Sequence, residues 1–131
     1  MKKPVIYLVE DDFGIIDVYK TGLEVLGKFK VEVFETCQKI RDRLAELREK
    51  KIKNPDMVLL DLILPECNGI QILKELKESE ATRSIPVFIL TNYGSKELQK
   101  MGAELNSEQY LVKTETTPTQ LVEIIKNRLA L

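Results

Sequence analysis

The stretch Asn54-Pro55-Asp56-Met57-Val58-Leu59-Leu60-Asp61-Leu62-Ile63-Leu64-Pro65-Glu66-Cys67-Asn68-Gly69 opens with a turn signal and continues as an apolar run without alternation, Met57 to Leu60. A single carboxylate, Asp61, stands where that run ends, and Pro65 and Gly69 follow. A short continuous apolar run bounded by turn residues reads as a strand buried on both faces. Such strands belong to parallel sheets covered by helices, and these sheets bind ligands beyond the carboxyl ends of their strands. Asp61 sits at that end. An N-cap role for it is less fitting, because apolar helical spacing resumes only at Ile70 and Asn68 is the better-placed cap.

Outward from this strand the chain alternates. Val5 to Val9 is a second apolar run, strand 1, ending in Glu10-Asp11-Asp12. Helix 1 carries Ile15, Ile16, Tyr19, Leu23 and Leu26 at helical spacing, with Gly27 as its stop. Val31 to Phe34 alternates and reads as strand 2, near an edge. Helix 2 follows Thr36 with the stripe Cys37, Ile40, Leu44 and Leu47. Helix 3 runs from about Gly69 to Ser79, with Ile72, Leu73 and Leu76 inward. Ile85 to Leu90 is strand 4, with Pro86 tolerated at its start, and Thr91-Asn92 lies at its end. Helix 4 is expected from Ser95 to Leu105, with Asn106 as a left-handed cap; this leaves Gly102 inside it, at about 1 kcal/mol against Ala. Gln109 to Val112 is strand 5, ending in Lys113. Helix 5 starts with Thr117 as N-cap, Pro118 at the first helical position and Gln120 completing a capping box; Leu121, Ile124, Ile125 and Leu129 form its apolar face.

Five strands alternating with five helices imply a doubly wound α/β parallel sheet with right-handed crossovers. The 131 residues suit one domain over 1–131. Net charge is -1 with both signs interleaved, so no basic nucleic-acid surface is indicated. No apolar run reaches membrane-spanning length, and the acidic residues at 10–12 interrupt any signal-peptide core, so a cytoplasmic location is expected. Cys37 and Cys67 form no metal-ligand or Cys-x-x-Cys pattern, and free thiols in a reducing compartment are expected. The absence of His excludes His-based acid–base catalysis, His-ligated metals and phosphohistidine within this chain.

The residues just past the strand ends are Glu10, Asp11, Asp12, Asp61, Thr91 and Lys113. Strand order 2-1-3-4-5, the flavodoxin-like arrangement, would bring them to one crevice. Clustered carboxylates repel unless a cation joins them, and all-oxygen ligation favours Mg²⁺, which shares its shell readily with a phosphate. An Asp carboxylate beside Mg²⁺ can attack phosphorus, while Lys113 and the Thr91 hydroxyl could hold phosphoryl oxygens. Singly, each has a plainer reading: the acidic triplet suits a helix N-terminus, Lys113 a solvated surface charge, and Tyr110 a half-buried strand position. The conjunction at one sheet edge favours chemistry.

The ordered set Val9-Glu10-Asp11-Asp12, Leu60-Asp61-Leu62-Ile63-Leu64-Pro65 with Gly69, Leu90-Thr91-Asn92 and Tyr110-Leu111-Val112-Lys113 resembles the receiver domain of bacterial two-component response regulators, chemotaxis-regulator-like, over Pro4 to Leu129. The resemblance implies that Asp61 is the phospho-acceptor and that Glu10, Asp11, Asp61 and the Ile63 backbone carbonyl bind Mg²⁺. It further implies that Lys113 contacts the phosphoryl group, that Thr91 and Tyr110 form the switch, and that Asp12 is peripheral. The expected function is phosphorelay signalling. A sensor histidine kinase or phosphotransfer protein would supply the phosphoryl group. The output face would be made by helix 4, strand 5 and helix 5, with homodimerisation on phosphorylation as one outcome. No direct nucleic-acid or membrane contact is expected, and no enzyme activity beyond slow autodephosphorylation. No output segment follows helix 5, so a stand-alone receiver is expected. Receivers usually carry a small residue after the Thr and Pro after the Lys; here these are Asn92 and Thr114, and a trans Lys113–Thr114 bond is expected. Two other classes compete with this one. An aspartyl-phosphate phosphohydrolase would resemble Asp-x-Asp, but Ile63 fills the second position. A flavodoxin-like binding module would want a Gly-rich phosphate loop where Glu10-Asp11-Asp12 stands.

Overall fold

The computed structural model describes residues 2–92 and 96–131. Its elements are β1 (Val5–Val9), α1 (Phe13–Val25), β2 (Lys30–Phe34), α2 (Cys37–Arg48), β3 (Met57–Leu60), α3 (Gly69–Glu78), β4 (Val87–Thr91), α4 (Lys96–Glu104), β5 (Gln109–Val112) and α5 (Pro118–Leu129). One 3₁₀ turn, Lys113–Glu115, joins β5 to the last helix. The strands form a parallel sheet in the order β2-β1-β3-β4-β5, so β3 is central and β2 is an edge, as the patterning predicts.

The apolar runs lack alternation because both faces are covered. Tyr7, Val9, Val58, Leu60, Val87 and Ile89 face a core shared with α2 and α3. Ile6, Leu8, Met57, Leu59, Phe88 and Leu90 face a second core shared with α1 and α5. Every β3 side chain is fully buried, each worth roughly 1.5–3 kcal/mol. The caps expected from sequence form. Asn68 accepts from Ile70 N at 2.8 Å. Thr117 accepts from Gln120 N at 3.1 Å, while the Gln120 side chain accepts from Thr117 N at 2.9 Å.

The structure departs from expectation at several points. β4 begins at Val87, two residues late, because Pro86 has no N–H for the ladder; its carbonyl still accepts from Val58 N. At the other end of the strand, pairing with Val112 makes Thr91 the last residue of β4 instead of the one after it. Leu26 is exposed rather than inward, since α1 ends at Val25. The left-handed residue after α1 is Lys28, with φ 60°, not Gly27. The expected first residue of helix 4, Ser95, lies outside the described residues. Gly102 does sit inside α4, and the reason is close approach: a Cβ there would stand 2.5 Å from Ile89 Cδ1. Asn106 is the left-handed cap, φ 65°.

The largest correction concerns the cysteines. Cys37 and Cys67 are not free thiols; their sulfurs are joined in a disulfide across Cα atoms 6.3 Å apart. The loop after β3 folds back over the first turn of α2, where Glu66 also accepts from Cys37 N at 3.1 Å. A separation of 30 residues gave no local sign of this approach.

Candidate functional site

The site is built at the carboxyl ends of β1, β3, β4 and β5. Glu10 continues β1, its N–H donating to Phe34 O at 3.1 Å. Its side chain turns into the crevice, where Oε2 accepts from the backbone N–H groups of Asp11 and Asp12 at 3.0 and 3.2 Å. Asp12 points away and caps α1 through Ile15 N, so it is peripheral as expected. Asp61 follows β3 and is fixed by its own N–H on Val9 O, 3.1 Å. One carboxylate oxygen, Oδ1, accepts from Ile63 N at 3.2 Å.

Lys113, at the end of β5, closes the crevice. Its side chain is 6% exposed, and Nζ donates to Glu10 Oε1 and, at 2.8 Å, to Asp61 Oδ2. Glu10, Asp11 and Asp61 each offer a carboxylate oxygen, all within 4.8 Å of one another. Burial pushes the Glu10 carboxyl above its ordinary pKa, the Asp61 charge adds to this, and the Lys113 ammonium only partly offsets it. Burial alone would lower Lys113, but its hydrogen bonds and charge pairs with Asp61 and Glu10 outweigh that and hold it above the usual lysine value. Three acidic groups face one cation, and a hard divalent ion suits such an oxygen donor set.

Gly69 backs the site. A Cβ there would overlap the Asp61 carbonyl oxygen and stand 2.7 Å from Leu62 Cα. Only glycine lets the start of α3 press against the residue after β3. The bridge between Ile63 and Asn68 and the bond from Gly69 N to Leu62 O (2.7 Å) close this loop, which brings the Ile63 backbone to the same edge as Asp61.

Thr91 is fully buried, and its hydroxyl has no hydrogen-bond partner among the described residues. An unmade buried hydrogen bond is costly and calls for an explanation. Thr91 pairs with Val112 and Ile89 with Tyr110, so the strand period of two places Thr91 and Tyr110 on one face of the sheet. Tyr110 is half-buried against the core below α3. The Lys113–Thr114 bond is trans, as expected: no described peptide is cis. Sequence reasoning missed Tyr19 as anything but core. Its hydroxyl donates to Thr116 O at 2.6 Å and reaches Lys113 O at 3.1 Å. Apolar spacing alone could not reveal this.

An open, doubly wound sheet with an acidic crevice and one lysine at the carboxyl edge defines a class of phospho-acceptor domains. The chain belongs to the response regulator receiver domain family, whose model matches residues 6–126. It is 43% identical over 121 residues to the phosphate regulon transcriptional regulatory protein PhoB of Escherichia coli, covering 92% of this chain and 49% of that protein. PhoB of Pseudomonas aeruginosa is 31% identical over the same length and coverage. The chain thus spans about half the length of these curated relatives. Among solved structures it is similar to a CheY-like response regulator receiver domain protein from Methanospirillum hungatei, with TM-score 0.83, 26% identity, and 98% and 95% of the two chains covered. No helix among the described residues is long and apolar enough to cross a membrane.

Proposed function

We propose that Asp61 is the phospho-acceptor of this receiver domain. The observation that carries the reading is the convergence of Glu10, Asp11, Asp61 and Lys113 beside the unpartnered Thr91 hydroxyl. Glu10, Asp11 and Asp61 with the Ile63 backbone carbonyl would hold Mg²⁺, which when bound supplies charge neutralisation for the phosphoryl oxygens. An Asp61 carboxylate oxygen attacks phosphorus, the bond from phosphorus to the donor breaks, and the donor leaves with the electron pair. The product is an acyl phosphate on Asp61. Lys113 pairs with a phosphoryl oxygen, and Thr91 donates the hydrogen bond it lacks in this structure.

The donor is a histidine kinase or phosphotransfer protein, since this chain contains no His of its own. Residues 1–131 act as one receiver unit in the cytoplasm, making protein contacts rather than touching nucleic acid. They turn over no substrate beyond slow loss of their own phosphate. A Thr91 side chain drawn towards the phosphoryl group leaves room for Tyr110, and the face of α4, β5 and α5 carries the signal, with homodimerisation as one form of output. Incubation with acetyl phosphate and Mg²⁺ followed by intact-mass measurement tests the assignment. One phosphoryl group is expected on wild type and none on Asp61→Asn; full incorporation on Asp61→Asn would refute it.

A further inference from the structure

Lys113 must be held so that its ammonium reaches Glu10 and Asp61, yet its surroundings offer little anchorage. β5 lies at the edge of the sheet, with Gln109 exposed and Tyr110, Leu111 and Val112 only half-buried. Thr114 and Glu115, which follow Lys113, are exposed, and Thr114 has no ring to fix its own φ. Beyond β5, whose Leu111 packs against the core, the turn carries no apolar side chain, and of Thr114, Glu115 and Thr116 only the last is buried. Hydrogen bonds hold the turn. Thr116 N donates to Lys113 O at 3.3 Å, and Thr116 Oγ1 donates to Val112 O at 2.9 Å. The remaining bond comes from outside the segment: the Tyr19 hydroxyl, on α1, donates to Thr116 O at 2.6 Å with Lys113 O as second acceptor at 3.1 Å.

We propose that Tyr19 is a positioning residue for Lys113, clamping together with Thr116 the turn that aims the ammonium into the phospho-acceptor crevice. This rests on the reading of Asp61 and Lys113 given above. Tyr19 suits the task. Its ring is buried in the core between α1 and α5, so the hydroxyl is presented from a fixed support. α1 is itself anchored at the site by Asp12, next to Glu10 and Asp11. The clamp thus ties the element that follows the acidic cluster to the turn that carries its counter-charge. Burial raises the Tyr19 pKa, the Lys113 charge opposing and Glu10 adding, so the phenol keeps its proton and remains a donor throughout the neutral range.

The test compares Tyr19→Phe with wild type, in the presence of Mg²⁺, for affinity towards beryllofluoride, an anion that mimics a phosphoryl group on a carboxylate. Loss of one neutral hydrogen bond predicts a fall of about threefold to tenfold. Mg²⁺ affinity, which depends on the carboxylates, should stay at the wild-type value. In a Lys113→Met background, Tyr19→Phe should cause no further fall, because its effect passes through the ammonium. Thr116→Val, which keeps the shape and removes the other hydroxyl, should repeat this pattern and serves if Tyr19→Phe is poorly folded. Affinity within about twofold of wild type, the lower limit for a hydrogen bond, would overturn the proposal. So would a fall of equal size in the Lys113→Met background, which marks a general structural effect. Wild-type protein that fails to bind beryllofluoride at all would overturn the phospho-acceptor reading together with this one, whereas a binding wild type with an indifferent Tyr19→Phe removes the clamp alone.

Discussion

Asp11→Asn should stabilise the protein in EDTA and destabilise it relative to wild type in Mg²⁺. The crevice holds three carboxylates and one ammonium. Lys113 bonds to two of the three, Glu10 and Asp61, and leaves Asp11 without a direct countercharge there. Asp11 therefore meets two like charges and one opposite charge, a net repulsion of one unit at a separation near the 4.8 Å span of the cluster. Asp11 is half-exposed, so water screens the interaction, and one such unit is about 1 kcal/mol. For a domain of this size that is a rise in Tm of roughly 3–5 °C. With Mg²⁺ the order should reverse. A cation at a hundred times its Kd stabilises the binding-competent protein by about 2.7 kcal/mol, and the variant, lacking one carboxylate ligand, gains less. Thermal and urea unfolding in EDTA and in Mg²⁺, at matched ionic strength so that screening is constant, measure both effects. A variant less stable than wild type in EDTA would refute the crowded acidic crevice; equal gains from Mg²⁺ would refute Asp11 as a ligand.

Reduction of the Cys37–Cys67 bond, which closes a loop of 30 residues, should cost about 3–4 kcal/mol on a chain-entropy estimate. The urea midpoint should fall in dithiothreitol, and Cys37→Ser should match the reduced protein; a midpoint indifferent to reductant would mean the bond does not form in solution. Thr91→Val replaces the unpartnered buried hydroxyl by a methyl group and should stabilise the unphosphorylated protein by about 1 kcal/mol while weakening beryllofluoride binding. A destabilised valine variant would show that the hydroxyl already has a partner. Burial raises the phenol pKa values of Tyr7, against the opposing Arg43, and of Tyr19 above the ordinary 10.0. Below that pH both phenols are neutral, folded or unfolded, so their stabilising contribution is fully present and independent of pH. Above it the unfolded chain ionises first, so stability should fall as pH rises from 10.0 through the folded values. Tyrosinate absorbance should lag that of the denatured protein; coincident titrations would contradict the burial of both hydroxyls.

What the sequence made legible follows the period of its side chains. Val5–Val9 and Met57–Leu60 lack alternation because helices cover both faces of their strands, and that physical cause operates within a few residues. The caps at Asn68 and Thr117 are likewise local: a short side chain reaches an N–H two or three positions ahead. Glu10, Asp11, Asp61 and Lys113 were readable as a group, with Thr91 at the neighbouring strand end, because strand order brings strand ends together whatever the side chains between them. Features that depend on a tertiary approach were not readable. Cys37 fits the inward stripe of α2, and nothing within its turn announces Cys67. Tyr19 fits the stripe of α1 equally well, and a stripe says which face is buried, not what the far end of a long side chain meets. Pro86 shows the converse. A purely local rule, that proline donates nothing to a ladder, trims the start of an apolar run that periodicity alone would extend. At the other end of β4, pairing with Val112 extends the strand by one residue to Thr91, with a consequence for the chemistry. Thr91 is held by the Val112 pairing on one side and its backbone is fixed, so whatever satisfies its hydroxyl must come to it, or its side chain must rotate. On the phospho-acceptor reading proposed above, a phosphoryl oxygen on Asp61, at the end of the neighbouring strand, would be the acceptor that such a rotation meets.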